Sequence, residues 1–390
     1  MEIIVLVILL VSFVIYGAIE FYRHQTVLFS IPIRIHVNGA RGKSSVTRLI
    51  AAGLRAGGIK TIAKTTGSAP RIIDNKGDDH IIHRIRAASI GEQIKLIKEF
   101  SKQKPKAIVM ECMAVQPEYQ WVTEQKMMRS SIGVITNVRP DHLDEMGPTE
   151  EDVAKSLCNS IPTNGTLITA EEKHKSILQS VANSNKSDII FSDESTITMD
   201  ELNKFKYIEH PQNIAIALDV CDKMGIKRDI ALKGMYSVQP DLGALIVWRL
   251  KVDGGYIQFV NGMAANDPVS TLQIWKFVID RYPANTGTAV FFNSRDDRPI
   301  RTKQMLELTF KEIKPDYFII RGDKIDSKIQ RLAHYSPDTK VQAFRLNEQL
   351  QKTTDAILTL PDDVLVYAIG NQVGEGQEIL QKLSNFKYNG

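Results

Sequence analysis

The hydrophobic pattern of the chain opens with a run that has no polar rhythm at all. No charged residue occurs between Ile3 and Ile19. As a helix those 17 residues would span about 25 Å, near the lower limit for a bilayer core. Tyr16, Phe21 and Tyr22 are placed to sit at an interface. Glu2 precedes the run, whereas Arg23, Arg34 and Arg41 follow it. The positive side is C-terminal, which predicts a single-pass anchor over residues 1–22 in the cell membrane, with the rest of the chain in the cytoplasm. A cleaved signal peptide needs a basic start, which Met1-Glu2 does not provide. A helix apolar on every side also differs from the one-sided pattern of a core helix.

Beyond the anchor, short apolar runs alternate with helical periodicity. Ile31–Val37 alternates like a strand, and Ser45–Ala56 places Val46, Leu49, Ile50 and Leu54 on one helical face. Further strands are predicted at 59–63, 107–110, 131–136, 166–169 and 188–191, with helices at 90–100, 149–160 and 211–224. Pro and Gly punctuate 237–243, which reads as a domain boundary. After it, strands recur at 256–260, 288–293, 317–320 and 364–369 with helices between them. This alternation predicts an α/β fold with parallel-rich sheets: an anchor at 1–22, a domain at 30–240 and a smaller α/β domain at 241–390.

Composition changes this picture little. The 390 residues suffice for two cores, and a net charge of +4 gives no argument for nucleic acid binding. Cys112, Cys158 and Cys221 are scattered without a CxxC pair, which excludes a disulfide framework and a zinc cluster.

The candidate chemistry lies where strands end. His36-Val37-Asn38-Gly39-Ala40-Arg41-Gly42-Lys43-Ser44-Ser45 carries a glycine loop between a strand and a helix, the setting of a phosphate-binding loop. Lys43 would reach the β- and γ-phosphates of a nucleotide, and Ser44 would ligate magnesium. The pattern is the short form GxxGKS, for which a structural turn is the alternative. Glu111 closes the apolar run 107–110, where an acidic residue can hold a nucleotide's metal or remain a solvated loop carboxylate. Asn137, Asp141, His142 and Asp144 follow the next strand. A neutral imidazole at 142 can ligate a cation if a carboxylate fixes its tautomer.

These segments carry a resemblance. Thr136–Gly147, TNVRPDHLDEMG, resembles the TNxxxDHLDxxG segment of the Mur ligases, and NGARGKSS resembles their phosphate loop. His210–Leu218 resembles the family's helix whose Asn binds adenine, and Asn293-Ser294-Arg295-Asp296 resembles its C-terminal Arg-Asp segment. The resemblance implies a P-loop ATPase domain of Mur-ligase type. It assigns Asn38, Gly39, Arg41, Gly42, Lys43, Ser44, Ser45 and Asn213 to the nucleotide, and Ser44, Glu111 and His142 to metal. Lys43, His142 and Arg295 become the catalytic candidates, with Arg295 closing over the nucleotide from the second domain.

Two features depart from the cell-wall ligases. The anchor leads into the ATPase segment after about ten residues, without an N-terminal substrate domain. Leu157 stands where a carbamylated lysine is often found. Both departures, with KTTG at 64–67, ECMAV at 111–115, MGPT at 146–149, FVNGMAAND at 259–267 and STLQIW at 270–275, resemble the membrane-anchored ligase subunits of poly-γ-glutamate synthases. That branch implies ATP and magnesium as cofactors, and glutamate and a poly-γ-glutamate chain as substrates. It also implies other membrane subunits of a capsule or export complex as partners, and it leaves homo-oligomerisation open. The competing class is a membrane-tethered regulatory ATPase or kinase-like partner of a polymer exporter.

Overall fold

The computed structural model describes residues 2–390 except 67–69, 83–88, 206, 208, 240–246, 264, 266, 283, 295–298, 324, 373 and 389–390. Arg295, Asn266 and the predicted boundary at 240–241 therefore lie outside the described residues. The chain divides into two compact units, Met1–Phe205 with Glu209–Leu242, and Lys206–Ile208 with Gly243–Gly390.

In the first unit, strands β1 (Ile33–Asn38), β2 (Thr61–Thr65), β3 (Arg71–Ile73), β4 (Asp79–Ile81), β5 (Ala107–Glu111), β6 (Ile132–Ile135), β7 (Thr166–Thr169) and β8 (Asp188–Phe191) form one sheet. Their order is β4-β3-β2-β5-β1-β6-β7-β8. The six strands from β2 to β8 run parallel, while β3 and β4 add a small antiparallel edge. All five residues of β5 are buried, as a strand covered on both faces requires. β1 lies at the centre, so the loop that leaves it opens into the crevice beyond the strand ends, where doubly wound sheets bind ligands.

The helix after that loop is gripped on several sides. Helix α2 (Lys43–Ala56) buries nine consecutive residues, Val46 to Leu54. Gly53 lets it approach Cys221, since a Cβ there would sit 2.5 Å from Sγ. Arg48 makes a two-pronged ion pair with Asp79 at 2.9 Å.

The apolar N-terminal run is helical, but its helix does not stop at residue 22. Helix α1 spans Glu2–Phe29. Residues 3–23 are exposed, whereas Leu28 and the following Ile31 are buried with Ile97 and Phe100 of helix α3 (Gly91–Lys102) and with Met128. The last turns of α1 are thus part of the core. A chain beginning at Arg23 is expected to remain folded without detergent. A chain beginning at Pro32 loses Leu28 and Ile31, and truncation of such residues removes about 2–5 kcal/mol each. Thermal melts of the two truncations check this, with a large drop expected in the second alone.

The second unit holds β9 (Val247–Val252), β10 (Gly255–Asn261), β11 (Thr288–Asn293), β12 (Tyr317–Arg321), β13 (Lys340–Phe344) and β14 (Leu365–Gly370). Their order is β13-β12-β11-β14-β10-β9, parallel except for β9 against β10. Phe259, Phe291, Phe310, Phe318 and Tyr367 are fully buried around it. Arg321 is fully buried too, its Nε bonded to Glu375 at 2.8 Å and its Nη2 to the carbonyls of Leu346 and Glu348, while Nη1 has no hydrogen-bond partner among the described residues.

Candidate active site

The glycine loop is held by its neighbours before any ligand is considered. Gly39 has φ +134° and Gly42 φ +81° with ψ 0°, both in the region glycine tolerates best. A Cβ on Gly39 would collide with Thr136, and one on Gly42 would lie 2.7 Å from Oδ1 of Asn213. Thr136 Oγ1 and Asn137 Nδ2 both donate to the Arg41 carbonyl, at 2.6 and 3.1 Å. The Arg41 and Ala40 amides donate back to Asn137, at 3.1 Å to Oδ1 and 3.0 Å to its carbonyl oxygen. The Thr-Asn pair therefore braces the loop.

Asn38 points into the domain. Its Nδ2 donates to Gln120 at 3.1 Å and Ser160 at 3.2 Å, and its Oδ1 accepts the Gly39 amide at 2.9 Å. The loop's early amides are thus committed internally. The amides of Lys43, Ser44 and Ser45 open α2, where a helix has no carbonyl one turn back to receive them, and they carry the positive end of its dipole. Lys43 folds over the loop, donating from Nζ to the Gly39 and Ala40 carbonyls at 2.6 and 3.4 Å.

Beside the loop, Glu111 is the last residue of β5 and is 2% exposed. Its Oε2 accepts Ser44 Oγ at 2.8 Å and the Thr66 amide at 2.6 Å, while Oε1 accepts Thr66 Oγ1. All three donors are uncharged. A buried carboxylate and a hydroxyl 2.8 Å apart at a phosphate loop suit a hard cation such as magnesium. Thr66 belongs to the KTTG segment, to which the sequence pattern alone gives no role. The signal for it was its place directly after β2, the parallel neighbour of β5.

His142 has φ +45°, 54% of its side chain is exposed, and Nε2 lies 4.0 Å from Asp141. Asp141 is also 3.6 Å from Nη2 of Arg41, so the two sequence motifs meet at the loop's rim. Asn213 is buried and donates to Glu209 at 2.7 Å. Burial and the nearby Arg139 charge hold the preceding His210 below the usual histidine range. A cavity of about 400 Å³ opens at the ends of β6, β7 and β8, lined by Arg139, Ala170, Phe191 and Gln212 among others.

One strand turn beneath the loop, His36 Nδ1 lies 2.8 Å from Glu124, both fully shielded from solvent. Burial alone would push this imidazole down. Cys112 and Glu124 outweigh it, and His36 is pushed up to about 10. The raised value means that the pair's stabilisation is complete below the unfolded value near 6.5 and is lost as pH climbs through the folded one. The urea midpoint of the full chain in detergent is expected to fall between about pH 6.5 and 9, before cysteines ionise in the unfolded state. His36→Gln should flatten that decline, and an unchanged slope would remove the pair as its cause.

Comparison with known proteins adds to this geometry. Residues 37–248 match the Mur ligase middle domain, and residues 247–386 match the poly-gamma-glutamate synthase CapB C-terminal domain. The chain is 41% identical over 315 residues to the capsule biosynthesis protein CapB of Bacillus anthracis, covering 80% of this chain and 68% of that protein. It is 35% identical over 378 residues to the PGA synthase CapB of Bacillus subtilis strain 168, covering 95% of each. In fold it is similar to MurF from Acinetobacter baumannii, with a TM-score of 0.69 at 15% identity over 95% of this chain and 80% of that one.

Proposed function

The chain belongs to the Mur ligase family, in its poly-γ-glutamate synthase CapB branch, and from that membership we propose that it is an ATP-dependent amide ligase that extends poly-γ-glutamate. The observation that carries the chemistry is the Ser44–Glu111 pair set against the first amides of α2. A terminal carboxylate oxygen of the growing chain attacks the γ-phosphorus of ATP, forming an acyl phosphate and ADP. The free amine of an incoming glutamate then attacks the acyl carbon, the C–O bond to phosphate breaks, and inorganic phosphate leaves as the amide forms.

Within this proposal the amides of Lys43, Ser44 and Ser45 and the Lys43 ammonium hold the phosphates in line, and their charge stabilises the transferring phosphoryl. Ser44, Glu111 and His142 would hold magnesium, which would supply positive charge to offset that of the phosphates. Asn213 is assigned to adenine, and Arg295 to the phosphoryl group. Residues 3–19 anchor the chain in the membrane, facing the cytoplasm, where other subunits of a polymer-exporting complex would meet it.

ADP release measured with and without glutamate and a poly-γ-glutamate primer tests the reading. Release that requires both, with label from glutamate entering polymer, supports a ligase. ATP hydrolysis indifferent to glutamate would overturn it in favour of a regulatory ATPase.

A further inference from the structure

The anchor helix and the phosphate loop leave opposite ends of the same strand. β1, β2 and β5 start in register at Ile33, Thr61 and Ala107, with the Lys106 amide on the Lys60 carbonyl and the Ile33 amide on that of Lys106. α1 ends at Phe29, just before that edge, whereas Gly39–Gly42 follow the far end of β1 and Glu111 closes the far end of β5. Six residues of β1 separate the two edges, a distance of roughly 20 Å.

The junction has no slack. His24 Nε2 donates to the Met127 carbonyl at 2.8 Å, and Gln25 Nε2 donates to that of Lys126 at 2.9 Å. Arg129 donates to Gln25 at 3.2 Å, and Leu28 and Ile31 are in the core. The helix Pro117–Val122 continues as a wider turn through Met128 and brings those carbonyls to the strand-start edge, next to Ser130 and Ser131. Side chains 3–23 touch no other part of the unit closely enough to be covered. The edge from which α1 projects is therefore the one presented to whatever phase takes up residues 3–19.

That edge is basic. Lys98, Lys102, Lys104, Lys106, Lys126 and Arg129 are all exposed on it, with Glu99 beside Lys102. Phe29 is 51% exposed, with the guanidinium groups of Arg34 and Arg129 at 5.0 and 4.9 Å from its ring, an aromatic–cation cluster of the kind that settles at a bilayer interface.

We propose that the strand-start end of the first unit is a docking face for anionic phospholipid headgroups, which holds the phosphate loop at the opposite end, facing away from the bilayer. The inference rests on the membrane-anchor reading of residues 3–19. A cluster of lysines close to a membrane span is attracted by an anionic leaflet over about one Debye length, and the packed helix end keeps these lysines within that range. The anchor supplies residence at the membrane, and the lysines supply orientation.

The test uses the full chain reconstituted in vesicles, with an environment-sensitive maleimide dye on Gln103→Cys. Gln103 is exposed between Lys102 and Lys104, and the native cysteines are buried. A quencher carried on lipid headgroups should quench this dye roughly threefold more in vesicles with about 30% phosphatidylglycerol than in pure phosphatidylcholine. The excess should vanish at about 0.5 M KCl, and also in Lys102→Glu/Lys104→Glu/Lys106→Glu. Equal, salt-insensitive quenching in both vesicles would overturn the docking face and leave orientation to the anchor. Absence of quenching in a protein that floats with vesicles would overturn it as well. A protein that does not float with either vesicle would refute the anchor, and the inference with it.

Discussion

Lys43→Ala is expected to lower glutamate-dependent ADP release by about a hundred-fold or more while leaving the melting temperature near that of the parent chain. The reasoning begins with where the ammonium is. Nζ is half-buried and bonded only to carbonyls of its own loop, at 2.6 Å to Gly39 and 3.4 Å to Ala40, so it supports no packed core. Its removal takes one donor from each of two loop carbonyls and no contact from the core. In the reaction, negative charge moves from the γ-phosphoryl toward the β–γ bridge, and a fixed cation there is worth roughly 3 kcal/mol at the transition state. Lys43→Arg is expected to fail too, because a planar fork cannot replace a compact ammonium at the tip of this loop. Single-turnover phosphoryl transfer should carry the loss, with nucleotide affinity changed less. Near-normal ADP release from Lys43→Ala would remove the residue from the phosphates.

The sequence showed strands best where a short apolar run is closed on both sides, whether the strand is buried like β7 or half-exposed like β8. The bounds 166–169, 188–191 and 288–293 are those of β7, β8 and β11. It did not show β3 and β4, three residues each, or β13, whose residues are mostly exposed and read as neither strand nor helix. The helix past residue 22 was hidden for another reason. Arg23 looks like the end of an apolar span, yet His24 and Gln25 find backbone carbonyls a hundred positions away, and no local pattern records such a partner. The site divides in the same manner. Glu111 was legible because an acid at a strand end is a local signal. Its contact with Thr66 depends on β2 lying beside β5. Asn38 sits inside the loop motif, but its side chain is taken up by Gln120 and Ser160, 82 and 122 residues along the chain.

Glu111→Gln is expected to abolish most metal-dependent turnover and, in the absence of metal and nucleotide, to leave the protein at least as stable as the parent. The two effects share one cause. The carboxylate is 2% exposed, and its bonded partners, Ser44 Oγ, the Thr66 amide and Thr66 Oγ1, are dipoles without a formal charge. Burying an anion with dipoles alone is unfavourable compared with burying a neutral amide of the same shape. In the proposed site a magnesium ion would supply the missing positive charge, so the native carboxylate would gain from the cation what the metal-free protein lacks. Glutamine keeps the volume and one accepting oxygen, but it cannot balance a divalent cation. Turnover should fall by about a hundred-fold, and the rise in melting temperature on adding magnesium with ATP should shrink toward the rise seen with ATP alone. Glu111→Asp, which keeps the charge at shorter reach, should fall between the two and recover part of its rate at higher magnesium. A Glu111→Gln protein that turns over normally across the whole magnesium titration would reassign this carboxylate to holding Thr66 and α2 in place.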